Sequence, residues 1–198
     1  MNSTLIGTLV RFLQVKAGLL ANPQLADSLG ISSHLTVEER ITLFRLASSR
    51  KAVLEIGSYI GASACCFGAA LSESGGGRIY CVDTWNNDAM SEGVRDTYGE
   101  FAANTAAYSE FIVPIRGRSV DVVDQVRQLA GHLDLLFIDG DHSYEGVKSD
   151  WEAYRRLLRP GAIIVMHDWG WAEGVKRVVI EDVMPQVAGF GHLSNMWW

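Results

Sequence analysis

The sequence predicts an α/β fold, a mostly parallel sheet with helices on both faces. Three observations predict it. Residues 53–63 read VLEIGSYIGAS: a short apolar run, then a turn bracketed by Gly57 and Gly61. A helix-compatible run follows from Ala62 to Leu71. Strand, glycine turn and helix in succession form the opening unit of a nucleotide-binding sheet. From Lys51 onward, strand-like and helix-like segments alternate, the pattern of parallel strands joined by crossover helices. Finally, the predicted strands run out into Gly57, Asp83, Asp139 and the pair His167-Asp168. Ligands of open α/β sheets bind outside the carboxyl ends of the strands, where the strand order reverses.

Composition narrows the partners. The chain has 198 residues, enough for one such domain with a full core and short for two. It is 48% hydrophobic and 20% charged, with a formal net charge of −6 and no basic block. That weighs against nucleic acid and anionic membranes and leaves a small molecule as the expected partner. No apolar run reaches the roughly 18 residues of a membrane span. Arg11 and Lys16 interrupt the N-terminal apolar stretch, which argues against a signal peptide. The cysteines, Cys65, Cys66 and Cys81, are odd in number and lack a framework spacing. They read as reduced thiols of a cytoplasmic protein rather than as disulfides or metal ligands.

Taken in order, Leu5, Leu9, Phe12, Leu13, Val15, Leu19 and Leu20 predict a loosely amphipathic N-terminal helix, broken by Asn22-Pro23. Thr36-x-x-Glu39 is a capping box that opens a second helix, running to about Ser48 with Val37, Ile41 and Phe44 on one face. Residues 1–49 are therefore expected as a helical cap, or more plainly a packing appendage, on a sheet domain at 50–198. In that domain strands are predicted at 52–56, 78–82, 111–115, 133–138 and 162–166. Helices are predicted at 61–72, 92–108, 119–130 and 171–184, with a further one carrying Tyr144, Val147, Trp151, Tyr154 and Leu158 on one face. Arg159-Pro160-Gly161 reads as a turn, and 187–198 as a last antiparallel strand or hairpin. The indoles of Trp197 and Trp198 are expected either in the core, in a contact of a homo-oligomer, or leading into further chain.

The turn at Gly57 has the form G-x-x-x-G. It is neither the G-x-G-x-x-G of a dinucleotide site nor a P-loop, which needs a Lys-Ser/Thr pair. With the strand order 3-2-1-4-5, the crevice falls between strands 1 and 4, and the strand ends converge on it. Asp83 at the tip of strand 2 is placed to accept hydrogen bonds from a ribose diol. Trp85 either packs on a base or lies in the core. Ser119 is expected to cap the helix it opens. For Asp139, His142 and Asp168, loop bonding and helix capping are the plainer roles, and Glu145 and Asp150 read as helix-face charges.

E-x-G-x-x-x-G, from Glu55, resembles the start of class I S-adenosylmethionine (SAM) methyltransferases, a Rossmann-like fold. Residues 135–169, LLFIDGDHSYEGVKSDWEAYRRLLRPGAIIVMHDW, resemble small-molecule O-methyltransferases of the macrocin and macrolide-sugar type, and more distantly catechol O-methyltransferase. That resemblance implies a SAM-dependent O-methyltransferase acting on a hydroxyl of a sugar or natural product. It places SAM across Glu55, Gly57, Ser58, Gly61, Ser63, Asp83, Thr84, Trp85, Arg118, Ser119 and Asp139. It puts a divalent cation, Mg or Mn, on Asp139, His167 and Asp168, and makes His142 the base beside Asp139. His167 departs from the family, which has an acid or amide there. Mg²⁺ prefers oxygen, whereas imidazole suits Zn, Fe, Ni or Mn, so the metal and its necessity stay open. Two alternatives remain: a cephalosporin hydroxylase-like enzyme with redox iron, and a non-catalytic SAM- or nucleotide-binding module. Acceptor-facing residues are expected in 86–108, in the N-terminal helices and around Trp169 and Trp171.

Overall fold

A computed structural model describes residues 13, 16, 17, 20–87 and 93–198. Most of the predicted N-terminal helix, and the start of the one predicted at 92–108, lie outside the described residues. The strands are β1 (Ala52–Ile56), β2 (Arg78–Asp83), β3 (Ile112–Arg116), β4 (Leu133–Ile138), β5 (Leu158–His167) and β6 (Met196–Trp197). They form a single sheet in the order β3-β2-β1-β4-β5-β6. The first five are parallel, and β6 runs antiparallel to β5.

The helices are α1 (Ala26–Gly30), α2 (Val37–Ala47), α3 (Ala62–Glu73), α4 (Tyr98–Asn104), α5 (Val123–Ala130), α6 (Tyr144–Tyr154) and α7 (Glu173–Val178). Side chains alternate across each strand, so the central strands feed two apolar layers. Val53, Cys81, Phe137 and Val165 face one layer, together with α3 and with Leu25, Leu29, Leu43 and Ala47. Leu54, Val82, Ile138 and Met166 face the other, under Val147, Trp151 and Tyr154 of α6 and Val175 and Val178 of α7. The three cysteines are free and buried, and burial pushes their thiols upward, that of Cys66 to about 12.

Several boundaries differ from the sequence reading, for physical reasons. In α2 the capping box forms as predicted, but the buried residues are Glu39, Arg40, Leu43 and Ala47. Arg40 fits there because its guanidinium bonds the carbonyls of Ser28, Ile31 and Leu35. Arg159-Pro160-Gly161 lies within β5, where the pairing slips from Leu133↔Leu158 to Leu135↔Ile163. The extra residues are absorbed as a bulge, with Gly161 at φ +81°. Only Glu173–Val178 of the predicted 171–184 helix is α-helical; a π turn and a 3-10 turn continue it to Gln186. Ser119 caps nothing: Ser119–Asp121 is a 3-10 turn and α5 begins at Val123. Met196 and Trp197 are buried in this chain's own layers, and Trp198 packs partly against them.

Candidate active site

At the carboxyl ends of the strands lies a cavity of about 980 Å³. Its size is near the upper end of small-molecule pockets, about 300–1,000 Å³. One wall is the β1–α3 turn. Gly57 sits at φ +87°, and a Cβ there would strike the Asp139 carbonyl group and come within 2.9 Å of Gly140 Cα. A glycine is therefore required where β1 and β4 separate. Gly61, at φ +93°, precedes α3, and a Cβ on it would lie 2.6 Å from Thr105.

Asp83 ends β2 and organises that turn. Its Oδ2 accepts from the amides of Ser58 and Tyr59, each at 2.8 Å, and its Oδ1 from the Trp85 amide at 2.6 Å. A carboxylate has about four acceptor sites, so capacity remains for a hydroxyl from the cavity, which Asp83 also lines. Ser58, Ser63, Thr84, Arg118, Ser119 and Asp139 line the cavity as well.

Glu55 and Trp85 are set apart from that wall. Glu55 is fully buried beneath the turn, and neither carboxylate oxygen has a hydrogen-bond partner among the described residues. Burial pushes its carboxyl up to about 7. Trp85 is fully buried, with its indole donating to the Tyr59 carbonyl at 3.0 Å and its ring against Tyr98 and Phe101. Of its two sequence readings, the core one describes where it lies. It supports the turn from behind.

The other end of the cavity gathers Asp139, His142, His167 and Asp168. His142 Nε2 stands 2.7 Å from Asp168 Oδ2. Ser143, not His142, caps α6 through the amide of Gly146, which removes the capping role considered for the histidine. Asp168 holds a left-handed backbone at φ +58°, and its side chain is fixed from several directions. Its Oδ1 accepts from the Trp171 indole at 2.7 Å and from Asn195 Nδ2 at 2.9 Å. The Trp171 ring also meets the His142 ring edge to face, with centroids 5.2 Å apart.

His167 lies behind this group. Its Nδ1 is 3.0 Å from Asp139 Oδ1 and 3.3 Å from Asp168 Oδ1, and its Nε2 faces Glu39 Oε1 at 3.7 Å. Burial alone would lower its pKa, but the surrounding carboxylates outweigh that and raise it to about 12. The surrounding acids favour its protonated form. For Asp168, burial works upward, and the His142, His167 and Asn195 donors bring it well below the usual carboxylate range. Burial raises Asp139, with His167 opposing. The His142 pKa is raised above 6.5, chiefly by its bond to Asp168.

Asp139, His142 and Asp168 can each offer one donor atom, all within 4.8 Å of one another. Two carboxylate oxygens and an imidazole nitrogen fit a divalent cation. This set holds His142 where the sequence reading had His167, whose Nδ1 lies against Asp139 and Asp168. Among the described residues no cysteine joins such a group.

Sequence reasoning missed Glu39, Asp150, Trp171 as a partner of Asp168, Asn195, and the loop Ser32, Ser33, His34 and Leu35 that closes one side of the cavity. Asp150 had a signal. It stands three residues after Val147 and four before Tyr154, so it lies on the apolar stripe of α6, and it is 4% exposed. The others depend on contacts between distant segments and left no local signal.

A parallel sheet with its switch point between β1 and β4, a glycine turn against the β2 carboxylate, and an acid–histidine group at the opposite mouth define the class I methyltransferase architecture. Comparison with known proteins agrees. Residues 54–169 match the family described as "Methyltransferase domain". The chain belongs to that family. A Sinorhizobium fredii protein, y4gI, is 28% identical over 118 residues, which are 59% of this chain and 13% of that one. Among solved structures, the O-methyltransferase NovP superposes with a TM-score of 0.70 at 14% identity, covering 84% of this chain and 82% of its own. The MycE methyltransferase of mycinamycin biosynthesis, solved with Mg and SAH, gives 0.58 at 18% identity, covering 84% of this chain and 50% of its own. Among the described residues no helix is long and apolar enough to cross a membrane.

Proposed function

We propose that the chain is a SAM-dependent O-methyltransferase for a hydroxyl of a small molecule, a sugar or another natural product. The observation that carries this reading is one cavity with two differentiated ends. At one end Asp83 braces the glycine turn; at the other His142 stands 2.7 Å from Asp168. The solved O-methyltransferases with this fold support it.

The lining fits the cofactor. SAM carries a sulfonium and an ammonium against one carboxylate, and acids outnumber arginines along the cavity. Gly57, Ser58, Gly61, Ser63, Asp83, Thr84, Arg118, Ser119 and Asp139 would hold it, with Glu55 and Trp85 supporting the turn from beneath. Bound there, SAM would supply an electrophilic methyl group for the acceptor oxygen.

This chain's own residues handle the proton. Asp168 takes the Nε2–H of His142, which fixes the tautomer and leaves Nδ1 as the basic nitrogen. Nδ1 accepts the hydroxyl proton as the carbon–oxygen bond forms. Asp139, held by His167, orients the acceptor beside it. The loop Ser32, Ser33, His34 and Leu35 closes one side of the cavity. In this role a general base contributes roughly 10²–10⁴-fold in rate.

A second reading rests on the donor group Asp139, His142 and Asp168. Those three residues would hold a divalent cation, which would supply Lewis acidity toward the acceptor hydroxyl.

The test is calorimetry with SAM, S-adenosylhomocysteine and NAD, followed by turnover of methyl-labelled SAM against hydroxylated acceptors. Binding of SAM and its demethylated product, with transfer to oxygen, is the expected result. Binding of NAD alone removes the assignment.

A further inference from the structure

Glycine is among the poorest helix residues, so one in the first turn of α7 calls for a reason. Gly174 has one. A Cβ built on it would lie 2.4 Å from the Tyr144 nitrogen, 2.5 Å from the His142 carbonyl oxygen and 2.6 Å from the Ser143 carbonyl carbon. All three are backbone atoms, which cannot swing aside like the end of a side chain. They belong to the short segment that carries His142 from the tip of β4 into α6. The first turn of α7 is therefore seated backbone to backbone on the residue read as the base.

The same stretch of chain fixes the acid. The amides of Trp171 and Ala172 donate to the Asp168 carbonyl at 3.2 and 2.9 Å, and the Trp171 indole donates to Asp168 Oδ1 at 2.7 Å. Residues 168–174 thus run from Asp168 at one end to the seat of His142 at the other. This span sets the 2.7 Å between His142 Nε2 and Asp168 Oδ2.

We infer that Gly174 is a positioning residue for the base: its missing side chain lets α7 support the His142 backbone at the height where Nε2 meets Asp168. The inference rests on the base reading above and extends it to a residue outside the cavity lining. A methyl group at this position has to lift the 142–144 segment, which lengthens or breaks the pair. A catalytic group displaced by about 1 Å costs about 10²-fold in rate.

Gly174→Ala tests this, in protein stripped of metal by chelation. The first readout is a spectrum and needs no acceptor. With isotope-labelled histidine, the Nε2–H of His142 is recognised by its absence in His142→Ala. Its proton signal should lie far downfield, because the acceptor is a carboxylate. In Gly174→Ala that signal should vanish or move toward that of a free imidazole, with S-adenosylhomocysteine affinity within about twofold of wild type. The second readout is turnover. Gly174→Ala should lower kcat by about 10–100-fold with little change in KM for SAM. In a His142→Ala background it should change the rate by less than about twofold, because the group it positions is gone.

An unchanged signal overturns the inference, as does an equal loss of rate in both backgrounds. A variant that does not fold, or that loses S-adenosylhomocysteine, shows that the seat serves the fold rather than the base, and overturns it too. The seat is also read in the wild type. A strong nuclear Overhauser effect between the Gly174 α-protons and the Tyr144 amide proton is expected, and its absence overturns the inference without a variant. None of these failures touches the base reading, which has its own test: His142→Ala with wild-type turnover overturns that reading and the inference together.

Discussion

His142 Nε2 lies 2.7 Å from Asp168 Oδ2, and Asp168 is itself held by Trp171 and Asn195. The pairing stabilises the protonated imidazole and raises its pKa above 6.5. A base must be unprotonated to act, so the rate should climb with pH through a value higher than that of a free histidine. Asp168→Asn removes the charge and should move this limb downward while lowering the plateau. His142→Ala should lose roughly 10²–10⁴-fold in turnover with little change in SAM affinity. The measurement is kcat and kcat/KM against pH for the three proteins. A wild-type profile flat between pH 6 and 9 would show that the proton leaves by another route.

Glu39 serves two ends at once. Its Oε2 accepts from the Thr36 amide at 2.7 Å, closing the capping box of α2, and its Oε1 faces His167 at 3.7 Å. Glu39→Gln keeps an acceptor for the cap and removes the charge; Glu39→Ala removes both. Losing one partner of a buried ion pair costs about 3–5 kcal/mol, and losing a cap about 1 kcal/mol. The alanine variant should therefore fall further in thermal and urea melts than the glutamine variant. The pH dependence has a definite sign. His167 is raised on folding, so its contribution is fully present below pH 6.5 and declines as pH rises toward about 12. Wild-type stability should fall across that window more steeply than that of His167→Gln. Equal slopes would mean that His167 is uncharged in the folded protein.

Gly57→Ala is predicted to be severe. The position needs φ +87°, and the added methyl meets the backbone of Asp139 and Gly140, which cannot swing away like a side chain. Strain at such a site costs about 1–3 kcal/mol before the collision is counted. Separating the tips of β1 and β4 should also displace Asp139. The expected result is a lower melting temperature together with loss of SAM binding, read by calorimetry at a temperature where the variant is folded. A folded variant with wild-type affinity would refute this account of the turn.

The sheet was legible because its signals are local: apolar runs, glycine turns, and 3.6-residue stripes in helices such as α6. The strand order taken was the usual one for such sheets, and the antiparallel strand expected within 187–198 is β6. What was not legible depended on partners far apart in sequence. Nothing around His167 indicates that Glu39, from the N-terminal half, faces its ring. Nothing near Asp168 indicates that Asn195 holds it. Trp85 kept two sequence readings, base packing and core, because indoles suit both roles, and only its full burial separates them. Asp150 was read by its charge, although its place on the apolar stripe of α6 was already in the sequence.

The last prediction concerns the metal, and it turns on what His142 does. One imidazole nitrogen cannot both ligate a cation and pair with Asp168, so the base and ligand readings make opposite demands on Nε2. If the donor group Asp139, His142 and Asp168 holds a divalent ion, His142→Ala should lower metal content, because it removes one of three donors. His167→Gln should leave the donor count intact, acting only through the loss of charge beside Asp139. Two oxygens and one nitrogen favour Mn, Fe or Zn over Mg. Elemental analysis after chelation and add-back of each metal reads this directly, and activity in the same samples reads the requirement. If His142→Ala retains its metal while Asp139→Asn and Asp168→Asn lose theirs, the carboxylates are the ligands and His142 is free to be the base. Full turnover in a demonstrably metal-free preparation would leave the His142–Asp168 pair as the sole agent of deprotonation. The pH limb would then belong to that pair alone, and should not move when any divalent cation is added.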